Sequence, residues 1–468
     1  MRYVSTRGRA PELGFEDALL AGLARDGGLY VPALWPTLAP ETIALFAGKP
    51  FHEVAVAVLE PLTGGAIPRT DLAAMTKAAY TSFGHPAVTP LVQIGPNRFV
   101  LELFHGPTLA FKDVAMQLLA RLMDYVLARR GQRATIVGAT SGDTGGAAIE
   151  AFRHTTSADL FILFPDGRVS DVQRRMMTTP AEPHLHALSI AGTFDDCQAR
   201  VKDMFNHHAF RDRLQLSGVN SINWARIAAQ VTYYFAAAAA LGAPYRKVSF
   251  TVPTGNFGDI FAGYVARKMG LPIERLTIAT NSNDILARTV ATGAYETRGV
   301  IATSSPSMDI QVSSNFERYL FEASGRDAAK IAGFMANLKQ SGRFDLGADI
   351  ARQLKADFSA VSASENVVAD TIRHVQRTAG YLLDPHTACA AAAEPKPGSA
   401  PEIILATAHP AKFPDALEAI ARVRPPLPQR LGRLLTERER ITPLPNDPAA
   451  IEAYVERHAR AAAKGARA

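Results

Sequence analysis

The chain has 468 residues, a formal net charge of +6, 47% hydrophobic and 20% charged residues: long enough for two or three domains with large cores, and not the composition of a disordered chain. Lys and Arg are scattered, without a basic run interleaved with aromatics, so an anionic small substrate explains the charge as well as an anionic macromolecule does, and no nucleic-acid partner is expected. Two cysteines, Cys197 and Cys389, exclude a disulfide framework and a four-cysteine metal site, and no metal is expected. The opening MRYVSTRGRAPELGF has no apolar secretion segment, and VTYYFAAAAALGAP from Val231 falls short of the roughly 20 apolar residues of a membrane span. A cytoplasmic protein in a reducing compartment, away from membranes, is expected.

Residues 1–92 read as an extension of helices joined by Pro and Gly turns, as in GLARDGGLYVPALWP and LEPLTGGAIPRTDLAAM. Then β-rich runs alternate with helical patterns: NRFVLELF, RATIVGA, ADLFILFP and HLHALSIAG, each followed by a helix. After residue 216 the alternation resumes with YRKVSFTVPTG, LTIATN and EIILATAHP. The pattern predicts an α/β architecture of two open, mainly parallel sheets: a smaller unit over 93–215 and a larger one over 216–435. AAAEPKPGSAPE reads as a surface loop, and residues 436–468 as a loop and a polar terminal helix.

In LELFHGPTLAFKDVAMQLL, Lys112 shares a helical stripe with Ala115, Met116, Leu119 and Met123, while Asp113, Gln117, Arg121 and Asp124 form a separate polar stripe. The ordinary reading of such a lysine is that its stem snorkels to water. Two strand–turn–helix patterns argue for more: ATIVGATSGDTGGAAIEAF and VSFTVPTGNFGDIFAGYVARKMG. Each points backbone N–H groups at a helix N-terminus, where an anion is favoured, although neither fits a dinucleotide or P-loop fingerprint, and Asp143 and Asp259 would suit a helix first turn without a ligand. A lysine near a phosphate-ready turn is what pyridoxal phosphate chemistry requires.

Over nearly its whole length the sequence resembles the threonine synthase family, pyridoxal phosphate enzymes of the tryptophan synthase β-subunit-like fold (fold type II), in its longer bacterial and fungal form. The resemblance runs through MRYVSTRG, LELFHGPTLAFKDVAMQLL, ATSGDTGGAAI, NSINWARIAAQVTYYF, VPTGNFGDIFAGY, SPSMDIQVSSNFERYLFE, LDPHTA and ATAHPAKF. It implies that Lys112 carries pyridoxal 5'-phosphate as a Schiff base and that Gly255, Asn256, Phe257 and Gly258 bind the cofactor phosphate. It places the Thr407 hydroxyl at the pyridine nitrogen, and the loop Ser141, Gly142, Asp143 and Thr144 around the substrate carboxylate beside the ring. An ionised Asp143 would repel the cofactor's phenolate, so it either shares a proton there or faces elsewhere, as a cap on its own helix. Asn220, Ser221 and Arg226 are implied to grip the substrate phosphate, and His105 and His386 to line the site, for hydrogen bonding or for proton transfer. The implied reaction turns O-phospho-L-homoserine and water into L-threonine and phosphate; closure of the two sheets over the substrate is an expectation of the two-domain reading. The alternative is a related phospho-lyase or dehydratase giving 2-oxobutyrate. Monomer and homodimer both remain open.

Overall fold

The computed structural model describes residues 1–394 and 400–461, so parts of the expected 391–402 loop and of the C-terminal segment lie outside the described residues. Two open sheets dominate. The larger has six strands in the order 358–362, 273–280, 248–253, 402–406, 98–102, 91–95, all parallel except the last, which pairs antiparallel with 98–102. The smaller has five parallel strands in the order 442–444, 185–190, 158–165, 134–139, 216–218. Their central strands are apolar runs because helices cover both faces: every residue of Ala158–Pro165, Ala134–Ala139 and Val248–Pro253 is buried.

The sheets do not follow the boundaries expected from the chain. NRFVLELF, placed by sequence order in the smaller unit, pairs with EIILA of the larger sheet, Glu102 opposite Ala406. Leu216–Gly218, placed in the larger unit, pairs with Thr135–Val137 of the smaller, and Thr442–Leu444 of the terminal segment closes that sheet's far edge. The physical reason is that a strand's partner is chosen by pairing between distant segments, which local periodicity does not record. The N-terminal region also departs from an all-helical reading: Arg2–Ser5, Leu13–Gly14 and Tyr30–Pro32 form a small antiparallel sheet beside its helices.

The Lys112–Arg130 helix packs against the helices Arg69–Tyr80, Asp143–Phe152 and Trp224–Ala240, so it joins the N-terminal region to both sheets. That position explains why its expected polar stripe is not a solvent face. Asp113 and Gln117 are buried, and only toward the end of the helix do charges reach water. Among the described residues, no helix is long and apolar enough to cross a membrane.

Candidate active site

Lys112 opens its helix with its side chain turned inward, 13% exposed, and its Nζ lies 3.6 Å from Asp143 Oδ2. The snorkelling geometry is not adopted. Burial lowers its pKa to about 8, against the pull of Asp143 and with the help of two nearby cations, Lys412 and Arg226. An appreciable fraction is then free amine near neutral pH, the form that attacks carbonyl carbon and accepts protons. Its neighbour Asp113 takes no part in that contact. It accepts hydrogen bonds from the Thr108 N–H at 2.8 Å and Thr108 Oγ1 at 2.6 Å, and burial pushes its carboxyl up to about 6.

The turn after Ala134–Ala139 brings Asp143 to this lysine. Thr140 Oγ1 accepts from the N–H groups of Gly142 and Gly145, each at 2.9 Å, and fixes the turn. Gly142 has φ 141°, and a Cβ there would meet Gln173 Cδ at 2.5 Å, so only glycine fits. Asp143 does not cap its helix. It is ion-paired with buried Lys412, accepts from Gln173 Nε2 at 2.8 Å and from Ser307 Oγ at 3.3 Å, and is held well below the usual carboxylate range by the two lysines, which outweigh its burial. Ser141 is exposed and Thr144 half-buried at the mouth of this turn.

The second turn has its carbonyls tied down and its N–H groups left over. Ser313 Oγ donates to Gly255 O at 2.6 Å, and Asn315 donates to Asn256 O through its N–H at 3.0 Å and its Nδ2 at 3.1 Å. Among the described residues no acceptor meets the N–H of Gly255, Asn256 or Phe257. Phe257 is buried in the left-handed region, φ 62°, and its ring packs on Phe316 and Phe358. A Cβ on Gly255 would lie 3.0 Å from Ser307 O. The Gly258–Lys268 helix starts here without a side-chain cap, so the turn is a ready cradle for a phosphate. A buried lysine with a lowered pKa and an open row of amide donors fit pyridoxal phosphate.

Asp259, in the first turn of that helix, is occupied elsewhere. It accepts from the hydroxyls of Tyr233 and Tyr234, and burial pushes its carboxyl up to about 7. A folded pKa above the unfolded one means that the group favours folding at low pH and costs stability as pH rises from about 4 to about 7. Asp259→Asn, which mimics the neutral form, is expected to stabilise the protein by about 2–4 kcal/mol at pH 8 and by clearly less at pH 5.5. Urea midpoints at the two pH values measure this, and equal gains at both would show that the carboxyl is not neutral in the fold.

Arg226 lies in the first turn of Trp224–Ala240, a helix capped by Asn223, whose side chain accepts from the Ala225 N–H at 3.0 Å. It is 3% exposed, not a solvated helix residue. Its Nη1 donates to Val219 O at 3.1 Å, its Nε has no partner among the described residues, and burial lowers its pKa to about 10. Asn220 Oδ1 is likewise buried without a partner, and a Cβ on Gly258 would lie 3.8 Å from Ser221 Cβ, so the Asn220–Arg226 segment abuts the phosphate-ready turn. The N-terminal region braces this segment. Asn223 Nδ2 donates to Leu19 O at 2.9 Å and Ser217 Oγ to Leu20 O at 2.7 Å, while the buried Arg318 joins Tyr30 O at 3.0 Å to Ile222 O at 2.5 Å.

Thr407 sits at the end of Glu402–Ala406, and its carbonyl accepts from the Phe111 N–H at 2.8 Å, which fixes the backbone just before Lys112. His386 has a positioning part: its Nδ1 pairs with Asp384 Oδ2 at 2.9 Å, and its Nε2 accepts from the Ser307 N–H at 3.2 Å, with both ring nitrogens used. His105 pairs with Glu102 at 2.7 Å, a carboxylate that also accepts from Tyr381 Oη at 2.8 Å. Sequence reasoning passed over Lys412, Ser307, Gln173 and Thr140, all of which touch the Asp143 turn. Only Lys412 carried a signal, a lone cation in the apolar stretch ATAHPAKF.

Comparison with known proteins agrees with this geometry. Residues 2–80 match the family described as threonine synthase N terminus, 83–403 the pyridoxal-phosphate dependent enzymes, and 386–455 the threonine synthase C-terminal family. A threonine synthase of Pseudomonas aeruginosa is 51% identical over 98% of both chains. The crystal structure of a PLP-bound threonine synthase from Brucella melitensis is 62% identical, covers 98% of this chain and 100% of its own, and has a TM-score of 0.95. The yeast threonine synthase structure is 39% identical over 98% of both chains, with a TM-score of 0.91. With a buried lysine beside a turn of open amide donors, and with likeness over the whole length, the chain belongs to the threonine synthase family of pyridoxal-phosphate dependent enzymes.

Proposed function

We propose that the chain converts O-phospho-L-homoserine and water into L-threonine and phosphate, with Lys112 and the Gly255, Asn256, Phe257 and Gly258 turn holding pyridoxal 5'-phosphate. The observation that supports it most is Arg226: among the described residues a buried guanidinium without a carboxylate, in the same segment as an orphaned Asn220 oxygen and beside the cofactor turn. A substrate without a phosphate would leave that cation uncompensated, whereas a phosphate monoester matches its planar donor fork. The site thus has a place for each of two phosphates.

Bound pyridoxal phosphate supplies an electron sink for negative charge developing on the substrate carbons. The protein supplies the rest. Lys112, as free amine, takes the proton from Cα; a Cβ proton must also be lost before the Cγ–O bond breaks, and protons return to Cγ and Cα as the product forms. Ser141 and Thr144, at the mouth of their turn, hold the substrate carboxylate, and Asn220, Ser221 and Arg226 orient the phosphate and stabilise it as it departs from Cγ. Water then adds at Cβ, so keeping stray water out until that step separates threonine from 2-oxobutyrate. We place the reaction in the cytoplasm, carried out by a monomer or homodimer.

The test is a product balance: protein, pyridoxal phosphate and O-phospho-L-homoserine should give threonine and phosphate in equal amounts. Phosphate accompanied by 2-oxobutyrate and no threonine would replace this reading with a phospho-lyase.

A further inference from the structure

We propose that Lys412 is a positioning residue for Lys112: it occupies Asp143 as a counter-ion, so that Lys112 has no carboxylate of its own and stays a nucleophilic amine. This rests on the reading of Lys112 as the residue that holds the cofactor. Lys412 ends the short helical turn Pro410–Lys412 that follows Thr407, and its side chain is fully buried. A buried ammonium needs both a counter-charge and hydrogen-bond acceptors. Lys412 finds the first in Asp143 Oδ1 and the second in Thr108 O at 3.1 Å. Thr108 is itself pinned by Asp113, the residue next to Lys112.

The geometry is unequal. Asp143 contacts Lys412 closely and Lys112 only at 3.6 Å, and its remaining acceptor capacity goes to Gln173 and Ser307. The groups that face Lys112 are Asp143 from the Asp143–Phe152 helix, Lys412 from its turn, Arg226 from the Trp224–Ala240 helix and the Phe111 ring, with its centroid 5.5 Å away. Two lysines therefore share one carboxylate, and the Arg226 cation lies near enough to act on Lys112. Burial is the largest influence on Lys112 and favours the neutral form; Asp143 opposes it, and with Lys412 in place both that lysine and Arg226 push Lys112 back toward the neutral amine. Without Lys412, Asp143 has Lys112 as its only close cation, and the amine is held protonated.

The experiment uses the full chain stripped of cofactor, with folding checked by circular dichroism. The rate at which added pyridoxal phosphate becomes covalently fixed is followed across the pH range, and borohydride trapping with peptide mapping locates it on Lys112. In the wild-type protein the midpoint is expected near the lysine's pKa of about 8. Lys412→Met should move it up by at least about one pH unit, an about tenfold slower capture at pH 7. Lys412→Arg should restore it, and Asp143→Asn should move it down. The double variant Asp143→Asn/Lys412→Met should return toward the wild-type midpoint. A salt bridge that served stability alone would lower the melting temperature and leave the midpoint in place, and that result, in a folded Lys412→Met, overturns the proposal. Should Lys412→Met fail to fold, Lys412→Gln, which keeps a donor for Thr108 O, takes its place; an unmoved midpoint in that folded variant overturns the proposal equally. Capture at Lys112 with unmoved midpoints leaves the enzymatic reading intact, whereas wild-type protein that fixes no cofactor at Lys112 removes both.

Discussion

Lys112→Ala is expected to lower turnover by at least about 10³-fold and to abolish covalent cofactor, while the protein stays as stable as wild type within about 1 kcal/mol. Both halves follow from the same surroundings. Lys412, the other amine at the Asp143 turn, is not free to replace it, because it is bound to Asp143 and Thr108. The fold, in turn, does not depend on Lys112. Asp143 keeps its closer partner when Lys112 is gone, alanine is a good helix former at the start of Lys112–Arg130, and a partly desolvated cation is removed. Threonine release and a thermal melt on the same preparation measure the two effects. Activity within tenfold of wild type would mean that another group performs the proton transfers.

Arg226→Met should behave in the opposite manner to most arginine deletions in a protein core. Arg226 is buried with a single carbonyl acceptor, an unpartnered Nε and no carboxylate, so in the absence of an anion it is a cost to the fold. Methionine has similar volume and no charge to bury. The apo protein is expected to melt at the same temperature or a higher one, whereas KM for the phosphorylated substrate rises by a factor of about 10²–10³, the loss of a bidentate charge-assisted contact of roughly 3–4 kcal/mol. Arg226→Lys keeps the charge but loses the fork and should fall between. Saturation kinetics and melting curves of the three proteins decide it. A lower melting temperature with an unchanged KM would make Arg226 a structural residue and move the substrate phosphate elsewhere.

Those two residues show how far the sequence could be read. Lys112 stood out because its cation sat on an apolar helical stripe, and the glycine turns because strand–turn–helix chemistry at that spacing is local. Arg226 was recognised only through its resemblance to a family, since nothing about an arginine one turn into an apolar helix says that it is buried without a partner. The partner of Asp143 was illegible for a different reason: Lys412 reaches it across hundreds of residues, and long-range ion pairs leave no periodicity. Sheet membership failed in the same way. NRFVLELF reads as a strand correctly, yet its register with EIILA depends on an encounter that no window of sequence contains.

The late position of Lys412 has a consequence for how the protein is made. During synthesis Asp143 and Lys112 emerge long before Thr407 and Lys412, and Thr442–Leu444, the edge strand of the same sheet as the Asp143 turn, comes later still. The Asp143–Lys412 pair can therefore form only once nearly the whole chain has been made, and a fragment that ends before residue 410 lacks it.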